Sequence, residues 1–304
     1  MTKVVTQSAW DAERERGTPL SVGLIAWLSV ALGRGATRWL LYPISWYFVA
    51  FASRARRASK AFLRRALGRE PRPADVLRHF HTFASTIHDR VFLLTGRERL
   101  FDVKVHGAER VIELLRSGRG CILLGSHLGS FDLLRALGRN AGFRAINVVM
   151  HSPDASHTTR AFSRMAPELR ERVIAPGRPD TMLKVSECLG RGEIVGFLGD
   201  RPLRGARVQA CNFLGAPADF PLGPLLIAGT VGAPVVTFFG LYGGAARYEV
   251  FLEELVEGSA VTKGAREAWA LQCLARYVER LERYARRSPY NWFNFYDYWN
   301  ETPR

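Results

Sequence analysis

From residue 101 onward, short apolar segments alternate with amphipathic ones, and this alternation restricts the possible folds more than any other feature of the chain. The apolar segments have the length of buried strands, and they are residues 101–105, 120–124, 145–150, 193–199, 233–242 and 247–255. The amphipathic segments have helical spacing, and they are residues 108–117, 133–137, 159–172, 182–189, 222–230 and 266–287. Strands that alternate with helices predict an α/β fold with a mostly parallel, twisted sheet and helices on both faces.

The end of the chain adds two features to this sheet. Gly243-Gly244 joins the last two predicted strands and is typical of a hairpin turn, which predicts an antiparallel edge. The final helix ends at Ser288-Pro289, and seven aromatic residues follow between Tyr290 and Trp299. We expect this aromatic tail to pack over the sheet edge; the alternative is that it lines an apolar groove or touches a bilayer. We place the α/β domain, with its final helix and tail, at residues 73–304.

Residues 1–72 differ in composition from the rest and contain two apolar segments, 19–33 and 39–52. Each is shorter than the about 20 residues that a membrane-spanning helix needs, and Arg34 and Arg38 separate them. Aromatic residues typical of the lipid headgroup boundary lie within this region, namely Trp27, Trp39, Tyr42, Trp46 and Tyr47. We therefore expect helices that dip into or lie along a membrane interface, with a single tilted span as the alternative.

The charge of the chain indicates an anionic partner. Lysine and arginine number 43 against 28 acidic residues, a formal net charge of +15. Eight of the basic residues lie between Arg54 and Arg72, directly after the apolar segments and opposed by Glu70 alone. Near an anionic membrane leaflet, each such charge contributes about 1 kcal/mol to binding. No recognisable nucleic-acid-binding module accompanies these charges, so we expect an anionic membrane surface and no nucleic acid.

The segment Gly125-Ser126-His127-Leu128-Gly129-Ser130-Phe131-Asp132 follows the predicted strand 120–124 and carries a candidate proton-transfer pair, His127 and Asp132. A loop at the carboxyl end of a sheet strand is where ligands of open α/β folds bind. If Asp132 lies in the first turn of the next helix, its carboxylate can hold one nitrogen of His127 and make the other a general base. By spacing alone, a strand-end histidine and a first-turn carboxylate favoured by the helix dipole are an equal alternative. Backbone N–H groups of Gly129, Ser130 and Phe131, at the start of that helix, are candidates to stabilise an oxyanion.

These residues resemble the signature of the lysophospholipid acyltransferase superfamily, and their surroundings resemble its lipid A biosynthesis (lauroyl/myristoyl) branch. The branch's Gly-His-Phe-Gly-Asn-Trp-Glu is similar to the Ser126–Asp132 segment, which keeps Gly129. Three further blocks match in order: Phe197-Leu198-Gly199-Asp200-Arg201, Phe213-Leu214-Gly215 and Gly232-Ala233-Pro234-Val235-Val236. The chain departs from the branch at Arg201, where glutamine is usual, and at Tyr290-Asn291-Trp292-Phe293-Asn294-Phe295, where a Trp-x-Trp-x-His ending is usual.

The resemblance implies a membrane acyltransferase at the cytoplasmic face of the inner membrane. His127 and Asp132 would be its catalytic residues, and the donor would be an acyl thioester of acyl carrier protein or coenzyme A, with no other cofactor. Asp200 is carried over as an active-site residue, and Arg201 and Arg204 are basic enough to bind an anionic headgroup or an acidic carrier protein. With Gly129 and Ser130, these residues form the predicted substrate-binding set. The acceptor would be a hydroxyl or amine of a lipid or glycolipid.

Two other functions remain open from the sequence. A hydrolase would use the same His127 and Asp132 to activate water, and a non-enzymatic membrane-bound scaffold would need neither. His79, His81 and His88 are too sparsely supported by other ligands to predict a metal site, and a helix would separate the first two.

Overall fold

The computed structural model describes residues 3–4, 19–134, 145–150, 172–178, 180–202 and 205–299. The strands in this part of the chain are β1 Lys3–Val4, β2 Asp102–His106, β3 Cys121–Gly125, β4 Ile146–Val149, β5 Val173–Ile174, β6 Ile194–Leu198, β7 Arg207–Phe213, β8 Ala216–Pro221, β9 Val235–Tyr242 and β10 Arg247–Val256. The helices are α1 Pro19–Thr37, α2 Leu41–Phe51, α3 Ser53–Leu67, α4 Pro73–Leu94, α5 Ala108–Arg116, α6 Thr181–Gly190, α7 Gly223–Val231 and α8 Arg266–Arg287.

Seven strands form the main sheet, in the order β2-β10-β9-β3-β6-β4-β5. All neighbours pair in parallel except β9 and β10, which are antiparallel. The mostly parallel sheet and the hairpin at Gly243-Gly244 are therefore confirmed. The prediction that the hairpin forms the edge is wrong, because β2 pairs with the outer side of β10 and becomes the edge strand.

The middle of the sheet is buried on both faces, as the unbroken apolar sequence of β3 requires. Ile122 and Leu124 belong to a core that includes buried residues of α3, α6, α7 and α8. Cys121 and Leu123 point into a second core, which includes residues of α5 and the C-terminal end of α4. Since successive strand residues face opposite sides, this division confirms helices on both faces.

Most predicted elements within the described residues lie where the sequence placed them. Residues 159–171 of the predicted helix 159–172, and residues 135–137 of the predicted helix 133–137, lie outside the described residues. The sequence did not predict the hairpin of β7 and β8, which forms a small separate sheet with β1. Its turn places Leu214 at φ 53° and Gly215 at φ 82°, and a leucine in this conformation is not a recognised hairpin signal.

Within the region before residue 73, residues 19–67 form helices α1 to α3. Among the described residues, no helix combines the length and the apolar composition needed to cross a bilayer. Large apolar side chains are nevertheless exposed along α1, α2 and the turn between them; they are Trp27, Leu32, Trp39, Leu40, Tyr42, Trp46, Tyr47 and Phe51. Phe62 and Leu63 of α3 are fully buried in the first core. The proposed boundary at residue 72 coincides with the start of α4 and stays a prediction.

Candidate active site

The site lies at the carboxyl ends of β3 and β6, two parallel neighbours near the middle of the sheet. Gly125 and Leu198, the last residues of these strands, are paired in register. His127 and Asp200 each follow two residues later, and the N–H of Gly199 donates to the carbonyl of Gly125 at 2.9 Å. The two side chains therefore meet because neighbouring parallel strands end at the same edge.

His127 and Asp200 are joined by two hydrogen bonds. His127 Nδ1 lies 2.8 Å from Asp200 Oδ1, and the backbone N–H of His127 donates to Asp200 Oδ2 at 3.0 Å. A carboxylate at Nδ1 requires the proton on that nitrogen, which leaves the lone pair on Nε2. The imidazole is 27 % exposed while the carboxylate is fully buried. This arrangement makes Nε2 an oriented proton acceptor.

The aromatic tail supplies the remaining donors to this carboxylate. Trp292 Nε1 and Asn294 Nδ2 each donate to Asp200 Oδ2 at 3.0 Å. The hydroxyl of Tyr298 donates to the backbone carbonyl of Asp200 at 2.8 Å. Together with the two bonds from His127, the buried carboxylate accepts four hydrogen bonds, which satisfies a charge that would otherwise be costly to bury.

The electrostatics of the pair favour a neutral base beside an ionised acid. Burial by itself raises the pKa of Asp200, but the neighbouring His127, its hydrogen bonds and the charge of Arg201 outweigh burial and lower that pKa to about 2. Burial lowers the pKa of His127, and the Arg201 charge lowers it further against the opposing effect of Asp200. At neutral pH the imidazole is therefore uncharged and able to accept a proton.

The prediction that Asp132 orients the imidazole needs correction. Asp132 Oδ2 lies 3.0 Å from Nε of Arg90 on α4, with both side chains about one fifth exposed. The His127 nitrogen that Asp132 was expected to hold is bonded to Asp200. The physical reason is that Asp132 is placed by the helix that follows the loop, whereas Asp200 lies at the end of the adjacent strand, directly beside His127.

Gly129 and Ser130 lie beside His127 but use their backbone donors within the protein. The N–H of Gly129 donates to the carbonyl of Asn291 at 2.7 Å, and the N–H of Ser130 donates to the carbonyl of Gly240 at 2.8 Å. The expectation that these two groups stabilise an oxyanion is therefore wrong for this conformation. Gly129 has φ 77°, and a Cβ there would lie 1.9 Å from the oxygen of Gly240. Only glycine permits this approach of the loop to β9.

Of the two arginines predicted to bind substrate, Arg201 and Arg204, the structure describes only Arg201. Arg201 donates through Nη2 to the carbonyl of Phe293 at 2.7 Å and through Nε to the side-chain oxygen of Asn294. Its guanidinium also lies over the ring of Tyr296. The structure therefore places Arg201 between Asp200 and the tail, and its contact with a substrate stays a prediction. Arg204 lies outside the described residues.

The tail packs across the sheet edge, as predicted, but its polar residues were missed. The side chain of Asn291 pairs with both backbone groups of Tyr242 at the end of β9, at 2.8 and 3.2 Å. Leu128 and Trp292 form an antiparallel bridge. A signal existed in the sequence, because Asn291 and Asn294 interrupt an otherwise aromatic segment. Buried amides in such surroundings need partners.

The three histidines of α4 have separate partners. His79 is hydrogen-bonded to Ser59 and to the carbonyl of Trp292. The ring of His81 lies 4.5 Å from that of Tyr42, and His88 is bonded to Thr37. Within the described ranges, no group of three or more His, Cys, Asp or Glu side chains is placed to hold a metal ion.

A comparison with known proteins identifies the family of the chain. The family model described as bacterial lipid A biosynthesis acyltransferase matches residues 10–301. The match covers helices α1 to α3, the seven-stranded sheet and the whole aromatic tail from Tyr290 to Trp299. No curated protein matches the chain.

Proposed function

The chain belongs to the bacterial lipid A biosynthesis acyltransferase family and is an acyltransferase; on this premise we propose that it transfers a fatty or related acyl group from an acyl thioester to a hydroxyl or amine of a lipid or glycolipid. The observation that carries the proposal is the hydrogen bond from His127 Nδ1 to the buried carboxylate of Asp200. In the mechanism, Asp200 takes the orienting role that the sequence had suggested for Asp132.

The reaction needs one proton acceptor and no covalent enzyme intermediate. Nε2 of His127 removes the proton from the acceptor's hydroxyl or amine as that group attacks the thioester carbonyl. The tetrahedral intermediate collapses, the C–S bond breaks, and the proton passes from the imidazolium to the leaving thiolate. The products are an ester or amide and a free thiol. Asp200 stabilises the transient imidazolium without accepting its proton, in keeping with its low pKa.

We further propose acyl carrier protein or coenzyme A as the carrier of the donor, with no other cofactor. A thioester is already activated, so positioning and a general base supply much of what the reaction requires. The acceptor is expected to be a membrane lipid or glycolipid. Arg201 and the ending from Tyr290 to Phe295 differ from the lipid A pattern, which leaves the acceptor open to lipids other than lipid A.

We place the protein at the cytoplasmic face of the inner membrane, bound by its first helices. Two observations support this location. Eight large apolar side chains are exposed between Trp27 and Phe51. On α3, which follows directly, Arg54, Arg57, Lys60 and Arg64 lie on the exposed side of the helix. Aromatic side chains beside a basic surface suit the headgroup region of an anionic leaflet.

Binding to vesicles tests this location. A Trp39→Ser, Trp46→Ser double variant is expected to bind phosphatidylglycerol vesicles at least about tenfold more weakly than the parent chain, since each substitution removes a large apolar side chain that would contact the membrane. The matched control is Met182→Ser, Leu183→Ser, which removes two exposed apolar side chains from α6. Equal binding by the two variants would contradict the proposed membrane surface.

Acyl transfer is tested with the purified protein, a bacterial lipid extract and either acyl carrier protein or coenzyme A thioesters, followed by lipid mass spectrometry. His127→Ala is expected to lose about 10²- to 10⁴-fold in rate, the usual contribution of a general base. His106→Ala, which removes an exposed histidine of β2, serves as the control. A folded His127→Ala variant with parental turnover would refute the mechanism. Acyl release that is independent of any acceptor would identify a hydrolase instead.

A further inference from the structure

A line of buried hydrogen bonds leads from the first helices to the catalytic carboxylate. Ser59 Oγ lies 2.9 Å from His79 Nδ1, and His79 Nε2 lies 2.9 Å from the carbonyl oxygen of Trp292. A carbonyl only accepts, so Nε2 carries the proton and Nδ1 accepts from the serine hydroxyl. The indole of the same Trp292 donates to Asp200. His79 thus contacts one end of the residue whose other end holds the acid.

His79 is fully buried among aromatic rings. Ser59, His79 and Trp292 are each 0 % exposed. The ring of Phe62 lies 4.9 Å from that of Trp292, and the ring of Phe295 lies 4.7 Å from that of His79. Burial lowers the pKa of His79 to about 4 against the opposing effect of the Trp292 carbonyl. The imidazole is therefore neutral, and its single N–H is committed to Trp292.

Packing alone does not account for a polar pair at this position. An apolar ring at position 79 would fill the space between Phe62 and Phe295 without burying two ring nitrogens, which cost free energy unless each is paired. The bond to Trp292 has a geometric consequence, because this residue is tied to both members of the catalytic pair. Leu128 pairs with Trp292, and the N–H of Phe293 donates to the carbonyl of His127 at 2.8 Å.

We propose that His79 is a positioning residue for acyl transfer: its Nε2–H fixes the backbone of Trp292, so that the indole holds Asp200 where the carboxylate can orient His127. The inference rests on the proposed function only for its kinetic consequence. Without this bond Trp292 is held less firmly, and the carboxylate can shift although its own hydrogen bonds remain. A displacement of about 1 Å in a catalytic group costs on the order of 100-fold in rate, so a smaller shift is expected to cost less.

The kinetic test compares variants of buried histidines on one helix. His79→Phe removes the donor and keeps an aromatic ring, although a larger one, whereas His79→Gln retains an N–H. His88→Phe is the matched control, because His88 is also buried on α4 and bonded to a hydroxyl, that of Thr37. We expect His79→Phe to lower kcat about 3- to 10-fold with KM unchanged, the loss of one neutral hydrogen bond. His79→Gln should recover most of this loss, and His88→Phe should keep the parental kcat.

A second measurement does not depend on acyl transfer. Nitrogen-15 NMR of histidine-labelled full-length protein reports which nitrogen of His127 carries the proton. The parent chain and His88→Phe are expected to show the Nδ1–H form, and His79→Phe a mixture of both forms. If His79→Phe does not fold, Trp292→Phe replaces it, with an expected fall in kcat of about 10- to 100-fold because the bond lost there is to a charged group.

Each outcome separates the two proposals. A shifted His127 tautomer in a protein without acyl transfer would support the positioning role and refute the proposed function. A parental tautomer and parental kcat in folded His79→Phe, or in Trp292→Phe if the first variant does not fold, would overturn the positioning role and leave the proposed function standing.

Discussion

Replacing Asp200 by asparagine is the substitution that most directly tests which acid serves His127. Oδ2 of Asp200 accepts from three N–H groups, those of the His127 backbone, Trp292 and Asn294. In Asp200→Asn these donors select the amide oxygen, which turns the NH₂ group toward His127 Nδ1. That nitrogen must then accept, and the proton moves to Nε2. The variant keeps the shape of the site but loses its base.

The expected size of the effect follows from this change of tautomer. A general base contributes about 10²- to 10⁴-fold, and a wrong histidine tautomer costs about 10⁴-fold in serine proteases. We therefore expect kcat to fall about 10³-fold, which corresponds to about 4 kcal/mol of transition-state free energy. Asp132→Asn is the matched control. It weakens the contact with Arg90 and leaves the bond between His127 and Asp200 in place.

The assay measures kcat and KM for acyl transfer in both variants, together with the thermal unfolding of each. Nitrogen-15 NMR of labelled His127 gives the tautomer independently. We expect Asp200→Asn to unfold near the parental temperature with the proton on Nε2, and Asp132→Asn to keep the Nδ1–H form. If Asp132→Asn lowers kcat as much as Asp200→Asn and shifts the tautomer equally, the assignment of Asp200 as the orienting acid is refuted.

Three further predictions concern stability. Gly129→Ala is expected to destabilise the protein by several kcal/mol more than Gly118→Ala, because both have positive φ but only Gly129 has a backbone oxygen in the way of a Cβ; equal denaturation midpoints would contradict the close approach. Burial lowers the pKa of His79 from 6.5 in the unfolded state to about 4 in the folded state, so the unfolded state binds more protons between these two pH values. As the pH falls from 6.5 to 4, the unfolding free energy should therefore decrease by about 3 kcal/mol, and it should decrease less in His79→Phe. Parallel pH profiles of the two proteins would contradict this. Asp89→Ala leaves Arg34 without the carboxylate that binds it at 2.7 Å and should cost about 3–5 kcal/mol in urea unfolding; a loss below about 1 kcal/mol would show that the pair does not anchor α1.

The strands of the sheet and the helices that pack on it were predictable, because a strand buried on both faces is a continuous apolar segment and a helix packed on a sheet has apolar residues at helical spacing. Residues 121–125 form β3 as an unbroken apolar segment, and α8 has the bounds that its spacing predicted. The hairpin of β7 and β8 was not predictable, since its turn places Leu214 in a conformation that leucine seldom adopts. The edge position of β2 was also hidden, because strand order depends on crossovers that local patterns do not record.

The candidate site divides in the same way. The sequence marked His127 through its place after an apolar strand, and resemblance marked Asp200. Two of the four donors to that carboxylate come from residues more than 90 positions away in the chain. The residues next to Trp292 and Asn294 in the sequence do not indicate which group these two side chains bind. Asp132 was chosen for its nearness in sequence, whereas spatial nearness in a parallel sheet follows from strand adjacency.

The sequence by itself determined an α/β sheet with a histidine at the end of one of its strands, because periodicity and turn chemistry act over a few residues. Only the tertiary structure decided that Asp200 holds the imidazole, that Asp132 pairs with Arg90, and that the aromatic tail closes around the acid. These contacts join distant segments of the chain, and their geometry is fixed by the order of strands in the sheet and by the packing of helices upon it.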